Sequence, residues 1–261
     1  VAEQIRSLEG SLGVALTLRR GQTIALTDAG QAVLASIRSI VAQADELAQI
    51  AQAGALRGRL RVGAISTALM ALLPGALRRL AERHPEIDLK VVPGTSMGLL
   101  SMLEAEEIEC AVTVKPPFPL PKSLVWQPVR AEPLVFLAPA GTKGRSIEMI
   151  IQSAPFIRMD RNAWTGQIVN RYLVSQKLQV RELFELDAPE TIVALVSEGL
   201  GVSLLPNWGI TSPIGRELTI LPVNNPRFDR EIGLIGRRSP AASLIGAFAN
   251  ILCEHDADAP K

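Results

Sequence analysis

Two pairs of neighbouring hydroxyls stand where apolar runs hand over to helical patterns. Ser66 and Thr67 follow the run that ends at Ile65, and Thr95 and Ser96 follow Pro93-Gly94. At such a junction the hydroxyls and the first backbone N–H groups of the helix converge and can hold an anion. The same residue types also serve as ordinary helix N-caps. Two such pairs at strand ends, on one sheet edge, favour a small-ligand cleft. Farther along, Arg158 closes another apolar run, and Arg161, Asn162, Trp164 and Thr165 follow it. An arginine there can clamp a carboxylate with two parallel N–H bonds. It can equally form a salt bridge, with Asp160 nearby. Trp164 either caps the ligand or anchors a core. Aromatic residues make up only 4% of the chain, which argues against an aromatic cage.

Residues for catalysis are scarce. The two histidines are His84, before a proline at a helix end, and His255, in a polar tail. No G-x-S-x-G, Walker A or paired metal-ligand spacing occurs. Cys110 lies in an apolar run and Cys253 in the last helical pattern, neither in the exposed basic setting that a reactive thiolate needs. The expectation is a binding protein and not an enzyme, with no cofactor and no metal. Two cysteines make no disulfide framework, so a reducing, cytoplasmic setting is expected. No apolar run of 18 residues occurs to span a membrane. The net charge of +1 argues against a strongly basic nucleic-acid coat, although not against a local patch.

The elements that must position these residues alternate. Strands are expected over Leu60–Ile65, Ile87–Val92, Cys110–Val114, Leu134–Ala138, Pro155–Met159, Leu183–Leu186, Val202–Leu205 and Glu231–Ile235, with an extended stretch over Leu124–Arg130. Helices are expected over Leu69–His84, Ser96–Glu107, Ile147–Ser153, Trp164–Leu178, Pro189–Glu198 and Ala241–Cys253. The βαβαβ opening predicts a mainly parallel sheet with right-handed crossovers. A second α/β unit follows, and the last strand returns to the first. That is an α/β, two-lobed architecture of the periplasmic-binding-protein type, with a ligand cleft at the strands' carboxyl ends.

The N-terminal third reads differently. Ile5, Leu8 and Leu12 make the face of a short helix that Gly10 and Gly13 should break. Leu16–Leu18 and Ile24–Leu26 flank Arg19-Arg20-Gly21-Gln22-Thr23, a hairpin with a basic tip. A helix followed by a basic hairpin is the winged helix-turn-helix pattern. From the N-cap Thr27 to the stop at Gly54, the residues Val33, Ile37, Ile40, Ala44, Leu47 and Ala51 recur at alternating spacings of four and three. This is a coiled-coil seam on an otherwise polar rod, roughly 37 Å long at ~1.5 Å per residue. It either packs on its own domain or joins two copies.

The words Val-Ala-Glu-Gln-Ile-Arg-Ser-Leu-Glu, Leu-Gly-Val-Ala-Leu, Arg-Arg-Gly and Leu-Thr-Asp-Ala-Gly resemble the LysR-type transcriptional regulators. So do Gly58–Gly63, Leu72-Leu73-Pro74, Glu132–Val135 and, most specifically, Leu195–Pro206. Thr17 departs from the family, which usually has Phe, and Glu106 and Glu109 stand where Gly and Asp are usual. The resemblance implies a winged helix-turn-helix remnant over residues 1–26 and a connector with hinge over 27–58. The effector-binding domain follows over 59–261, with lobe I at 59–133 and 230–261 and lobe II at 134–229. It places Val1 inside the recognition helix, so that base-reading residues lie outside the sequence and this chain should bind DNA weakly. Gln4, Arg6, Arg19, Arg20, Gln22 and Thr23 are the implied contacts to double-stranded operator DNA. The implied effector site is Ser66, Thr67, Thr95, Ser96, Arg158, Trp164, Thr165 and the backbone of Val202, around a small anionic effector. Self-association as a dimer or tetramer is implied too. A solute-binding protein of the same fold without gene control is the other reading, and the wing and connector count against it.

Overall fold

The computed structural model describes residues 2–20, 23–33, 37, 56–142, 146–212, 214–215, 217–237 and 243–257. The chain divides into two compact units, Val1–Gly54 and Ala55–Lys261.

In the first unit, helix α1 (Ala2–Leu12) is followed by strands β1 (Thr17–Arg20) and β2 (Thr23–Leu26), paired antiparallel from Thr17↔Leu26 to Arg20↔Thr23. The expected break at Gly10 does not occur. One glycine costs a helix only about 1 kcal/mol, and α1 ends instead before Gly13, whose φ of +67° suits a left-handed stop. Glu9 ties α1 to the hairpin: its Oε1 accepts from the N–H of Leu16 at 2.8 Å, the N–H of Thr17 at 2.9 Å and Thr17 Oγ1 at 3.0 Å. Those bonds, Thr17's backbone first, hold the Glu9 carboxyl below its usual range. Thr17 therefore supplies a hydroxyl that a Phe could not.

Thr27 is an N-cap, its Oγ1 accepting from the N–H of Gly30 at 2.9 Å and donating to the carbonyl of Ala15 at 2.8 Å. A Cβ on Gly30 would lie 2.1 Å from the Leu16 carbonyl oxygen, so only glycine fits there. Residues 28–33 are helical, with Val33 and Ile37 half-buried. Ile40, Ala44, Leu47 and Ala51, and with them most of the expected seam, lie outside the described residues, as does Gln22.

In the second unit, β3 (Gly58–Ala64), β4 (Ile87–Pro93), β5 (Cys110–Val114), β6 (Leu124–Glu132) and β12 (Arg230–Arg237) form one sheet in the order β4-β3-β5-β12-β6. β4, β3 and β5 are parallel, and β12 runs antiparallel to both β5 and β6. The stretch expected to be merely extended is thus a full ladder strand. Helices α2 (Ser66–Ala71), α3 (Leu73–Arg83), α4 (Ser96–Glu104) and the terminal α8 (Leu244–Ala257) complete this lobe. The expected single helix over Leu69–His84 is two. Pro74 has no N–H and would clash with the carbonyl four residues back, so the chain restarts at Leu73 with proline in the first turn. The helix expected to reach Glu107 stops at Glu104, and Glu106 adopts φ +58° where a glycine is usual. Arg237 donates to its carboxylate at 2.7 Å.

The second lobe holds β7 (Leu134–Pro139), β8 (Pro155–Met159), β9 (Arg181–Leu186), β10 (Ser203–Pro206) and β11 (Leu218–Pro222). β7 lies between β10 and β11, antiparallel to both, and β8 pairs parallel with β9. A parallel bridge, Phe156↔Val202, joins the two ladders. Helices α5 (Ile147–Ser153), α6 (Trp164–Ser175) and α7 (Pro189–Ser197) belong to this lobe. β11 is an additional strand, and its sequence carries no clean alternation: Ile220 is exposed, and Leu218 and Leu221 pack on different clusters. The chain passes between the lobes at Pro133 and again between β11 and β12. No helix among the described residues is long and apolar enough to cross a membrane.

Candidate functional site

A cleft of about 620 Å³ lies between the lobes. It gathers six of the expected residues, Ser66, Thr67, Thr95, Ser96, Trp164 and Thr165. The first lobe brings its hydroxyls there because β3 and β4 are parallel neighbours whose carboxyl ends lie side by side. The N–H of Gly94 donates to the carbonyl of Ala64 at 3.1 Å, which locks these ends together. Thr95 caps α4, its Oγ1 accepting from the N–H of Gly98 at 3.2 Å, so the capping reading holds for it alongside the binding one. For Ser66 it does not hold. Ile65 is the cap residue of α2 and no side chain caps that helix.

From the second lobe come Asp160, Asn162, Trp164 and Thr165, all set by the handover from β8 to α6. A Cβ on Gly166 would stand 1.8 Å from the carbonyl oxygen of Asp160. Glycine there lets the first turn of α6 fold directly against the end of β8. The Asp160 side chain accepts from the N–H of Asn162 at 2.8 Å and holds the turn. Trp164 is buried, lines the cleft, and meets Phe118 edge to face at 5.5 Å between ring centroids. It is both a core anchor and part of the cleft wall.

Two expected residues are elsewhere. Arg158 is buried on β8 and does not line the cleft. Its Nε donates to Glu182 at 2.8 Å, and its two terminal nitrogens reach Asn170 at 3.5 and 3.4 Å. The salt-bridge alternative therefore holds, with Glu182 and not Asp160 as partner. Arg161 is likewise taken, by Glu182 and Glu185. Val202 has no backbone group to offer a ligand: its N–H donates to Pro155 and its carbonyl accepts from Ile157, each at 2.9 Å.

The arginine of the cleft is Arg230, the first residue of β12. Its side chain is only 2% exposed, yet it lines the cleft. It sits in register with Glu132, the last residue of β6. Nε donates to Glu132 Oε2 at 2.7 Å, and Nη2 donates to the same oxygen. Nη2 also reaches Thr67 Oγ1 at 3.0 Å, and Nη1 reaches Thr165 Oγ1 at 3.3 Å. One buried guanidinium thus touches a hydroxyl from each lobe, and the Trp208 ring centroid lies 6.0 Å away. Arg130 takes the other oxygen of Glu132 at 2.5 Å. The available signal was an arginine and a glutamate placed at the two points where the chain changes lobe.

Asp187, at the end of β9, also lines the cleft. Burial first, then the charges of Asp160 and Glu190, push its carboxyl above the usual range. The Cys110 thiol is pushed up by burial and then by Glu109, and stays unreactive. Among the described residues no group of three or more His, Cys, Asp and Glu is placed to hold a metal.

On this geometry the protein is a two-lobed α/β ligand-binding domain joined to a helix and hairpin. The family description "LysR substrate binding domain" matches residues 53–257, and the chain belongs to that family, as a transcriptional regulator of LysR type. Curated relatives include the HTH-type transcriptional regulator IlvR of Caulobacter vibrioides, 28% identical over 100% of this chain and 89% of the relative. The HTH-type transcriptional activator CmpR of Synechocystis sp. is 26% identical over 98% of this chain and 86% of its own. Among solved structures, a full-length OxyR variant from Pseudomonas aeruginosa is 23% identical, with a TM-score of 0.63 over 98% of this chain and 88% of that one, a likeness of fold.

Proposed function

We propose that a small effector with a carboxylate or similar anionic group binds in the cleft and switches the DNA affinity of a dimer or tetramer. The observation that carries this is the cleft itself, floored by a buried arginine that touches both lobes. A ligand replacing the Thr67 and Thr165 contacts of Arg230 would favour one spacing of the lobes over another. It shifts the equilibrium only by its difference in affinity for the two states. The match to regulators runs over the whole chain, its N-terminal unit included, which favours gene control over simple solute binding.

The DNA-facing residues of this reading are Gln4 and Arg6, exposed on α1, with Arg19, Arg20 and Thr23 of the hairpin strands, and Gln22, which lies outside the described residues. They are phosphate contacts, so affinity falls steeply with salt. The connector seam, Val33, Ile37, Ile40, Ala44, Leu47 and Ala51, joins two copies. Changing Ile37 and Leu47 together to Glu is expected to halve the mass found by light scattering, and an unchanged mass rules out the seam.

The switch is tested with the regulator expressed from its complete reading frame. DNA fragments are selected on it and anisotropy is followed as carboxylate metabolites are added. Thr95→Ala is expected to keep the basal DNA affinity and to lose the metabolite response. A response that survives both Thr95→Ala and Ser66→Ala places the effector outside the cleft.

A further inference from the structure

We propose that the effector is a zwitterion of the α-amino acid kind, its carboxylate held by Arg230 and the first-lobe hydroxyls and its ammonium held by Asp160 and Asp187. This rests on the cleft being the effector site.

The charges of the cleft carry the inference. Its charged lining residues are Arg230, Asp160 and Asp187. Arg230 is already matched by Glu132, and Arg158 and Arg161 are held by Glu182 and Glu185. Neither cleft aspartate has a cationic partner among the described residues. Asp160 keeps one carboxylate oxygen free beyond its bond to Asn162, and the Asp187 side chain makes no hydrogen bond among the described residues. Burial first, and then the charges of Asp160 and Glu190, raise Asp187, and Glu190 has a buried Oε1 with no partner among the described residues. A wholly anionic ligand would meet this wall with its own sign. A cation alone would leave the opposite wall without a match.

That opposite wall favours an anion. It has no carboxylate, it presents the N-terminus of the nine-residue α4 beside Thr95 and Ser96, and Arg230 borders it. A guanidinium has five N–H donors. Arg230 uses four, two on Glu132 and one each on Thr67 and Thr165. One Nη1–H is left without a partner among the described residues, on a side chain that is otherwise buried. The charged side chains of the cleft are therefore divided between Arg230 on the first lobe and Asp160 and Asp187 on the second, and a molecule with a carboxylate and an ammonium on neighbouring atoms matches both.

The test is calorimetric titration of this chain with the twenty standard α-amino acids and, for each that binds, the 2-hydroxy acid with the same side chain. The pair differs only in ammonium against hydroxyl. At least one amino acid is expected to bind, with its hydroxy acid weaker by about tenfold or more, the size of a charge-assisted hydrogen bond. Asp187→Asn is expected to bring that ratio below about threefold. A hydroxy acid that binds as tightly as its amino acid, or a ratio unmoved by both Asp187→Asn and Asp160→Asn, overturns the zwitterion. So does binding by none of the amino acids. A carboxylate that lacks an ammonium, binds tightly and is lost in Thr95→Ala also overturns it, while leaving the cleft as the effector site.

Discussion

Arg230→Met is expected to lower stability by about 3 kcal/mol and to abolish effector binding. Removing one partner of a buried ion pair leaves the other charge without its match, at a cost of about 3–5 kcal/mol. The lower end applies because Arg130 still reaches Glu132. In a domain of this size that lowers the melting temperature by about 6–12 °C. The double variant Arg230→Met, Glu132→Met is expected to recover most of the stability, since replacing both members of such a pair is often close to neutral. It should recover none of the ligand affinity. Chemical denaturation of the wild type, both single variants and the double variant separates the two roles. If the double variant is no more stable than Arg230→Met, the pair is not a stabilising unit of the first lobe.

Gly166→Ala is expected to destabilise by about 3 kcal/mol, as overpacking against backbone does. The new methyl would fall on the Asp160 carbonyl, and neither it nor the α6 backbone is a flexible tip that can swing aside. Relief requires α6 to tilt away from β8. That moves Trp164 and Thr165 out of the cleft, so ligand affinity should fall together with stability. Gly10→Ala is the contrast, because nothing lies within 4 Å of its added methyl. That exposed helical position should gain about 1 kcal/mol of helix propensity. Melting curves of the two variants suffice, and a neutral Gly166→Ala would contradict the close approach of α6 to β8.

Most of the fold was legible because proline, glycine and apolar runs punctuate this chain sharply. Cys110–Val114, Ile147–Ser153 and Pro155–Met159 have the bounds expected of them. Their ends are set by local residues. The misreadings came where a local signal had two outcomes. Pro74 could start a helix or bend one, and it started one. Gly10 could stop α1, and the helix absorbed it.

The hydroxyl lining of the cleft was legible for the same reason, since Ser66, Thr67, Thr95 and Ser96 sit at strand-to-helix handovers visible in a few residues. The arginine was not. Arg158 was singled out by the polar residues that follow it, and Arg230, just ahead of the returning strand, was not considered. What decides between them is pairing. Arg158 is claimed by Glu182, 24 positions on, and Arg230 meets Glu132 only because β12 returns beside β6, a partner 98 positions away. Val202 failed because a strand that bridges two ladders spends both backbone groups inside the sheet.

A small ligand is expected to bind between the lobes at the hydroxyl-lined wall. The most direct measurement is the thermal melt of this chain, wild type and Thr95→Ala, with a panel of carboxylates that includes the amino acids. Losing the cap costs the variant about 1 kcal/mol by itself, so the quantity compared is the shift that each ligand produces. A ligand at about 100 times its dissociation constant adds about 2.7 kcal/mol, a rise of several degrees here. The expected result is such a rise in the wild type and none in Thr95→Ala. Equal shifts in the two proteins would place the ligand away from this wall.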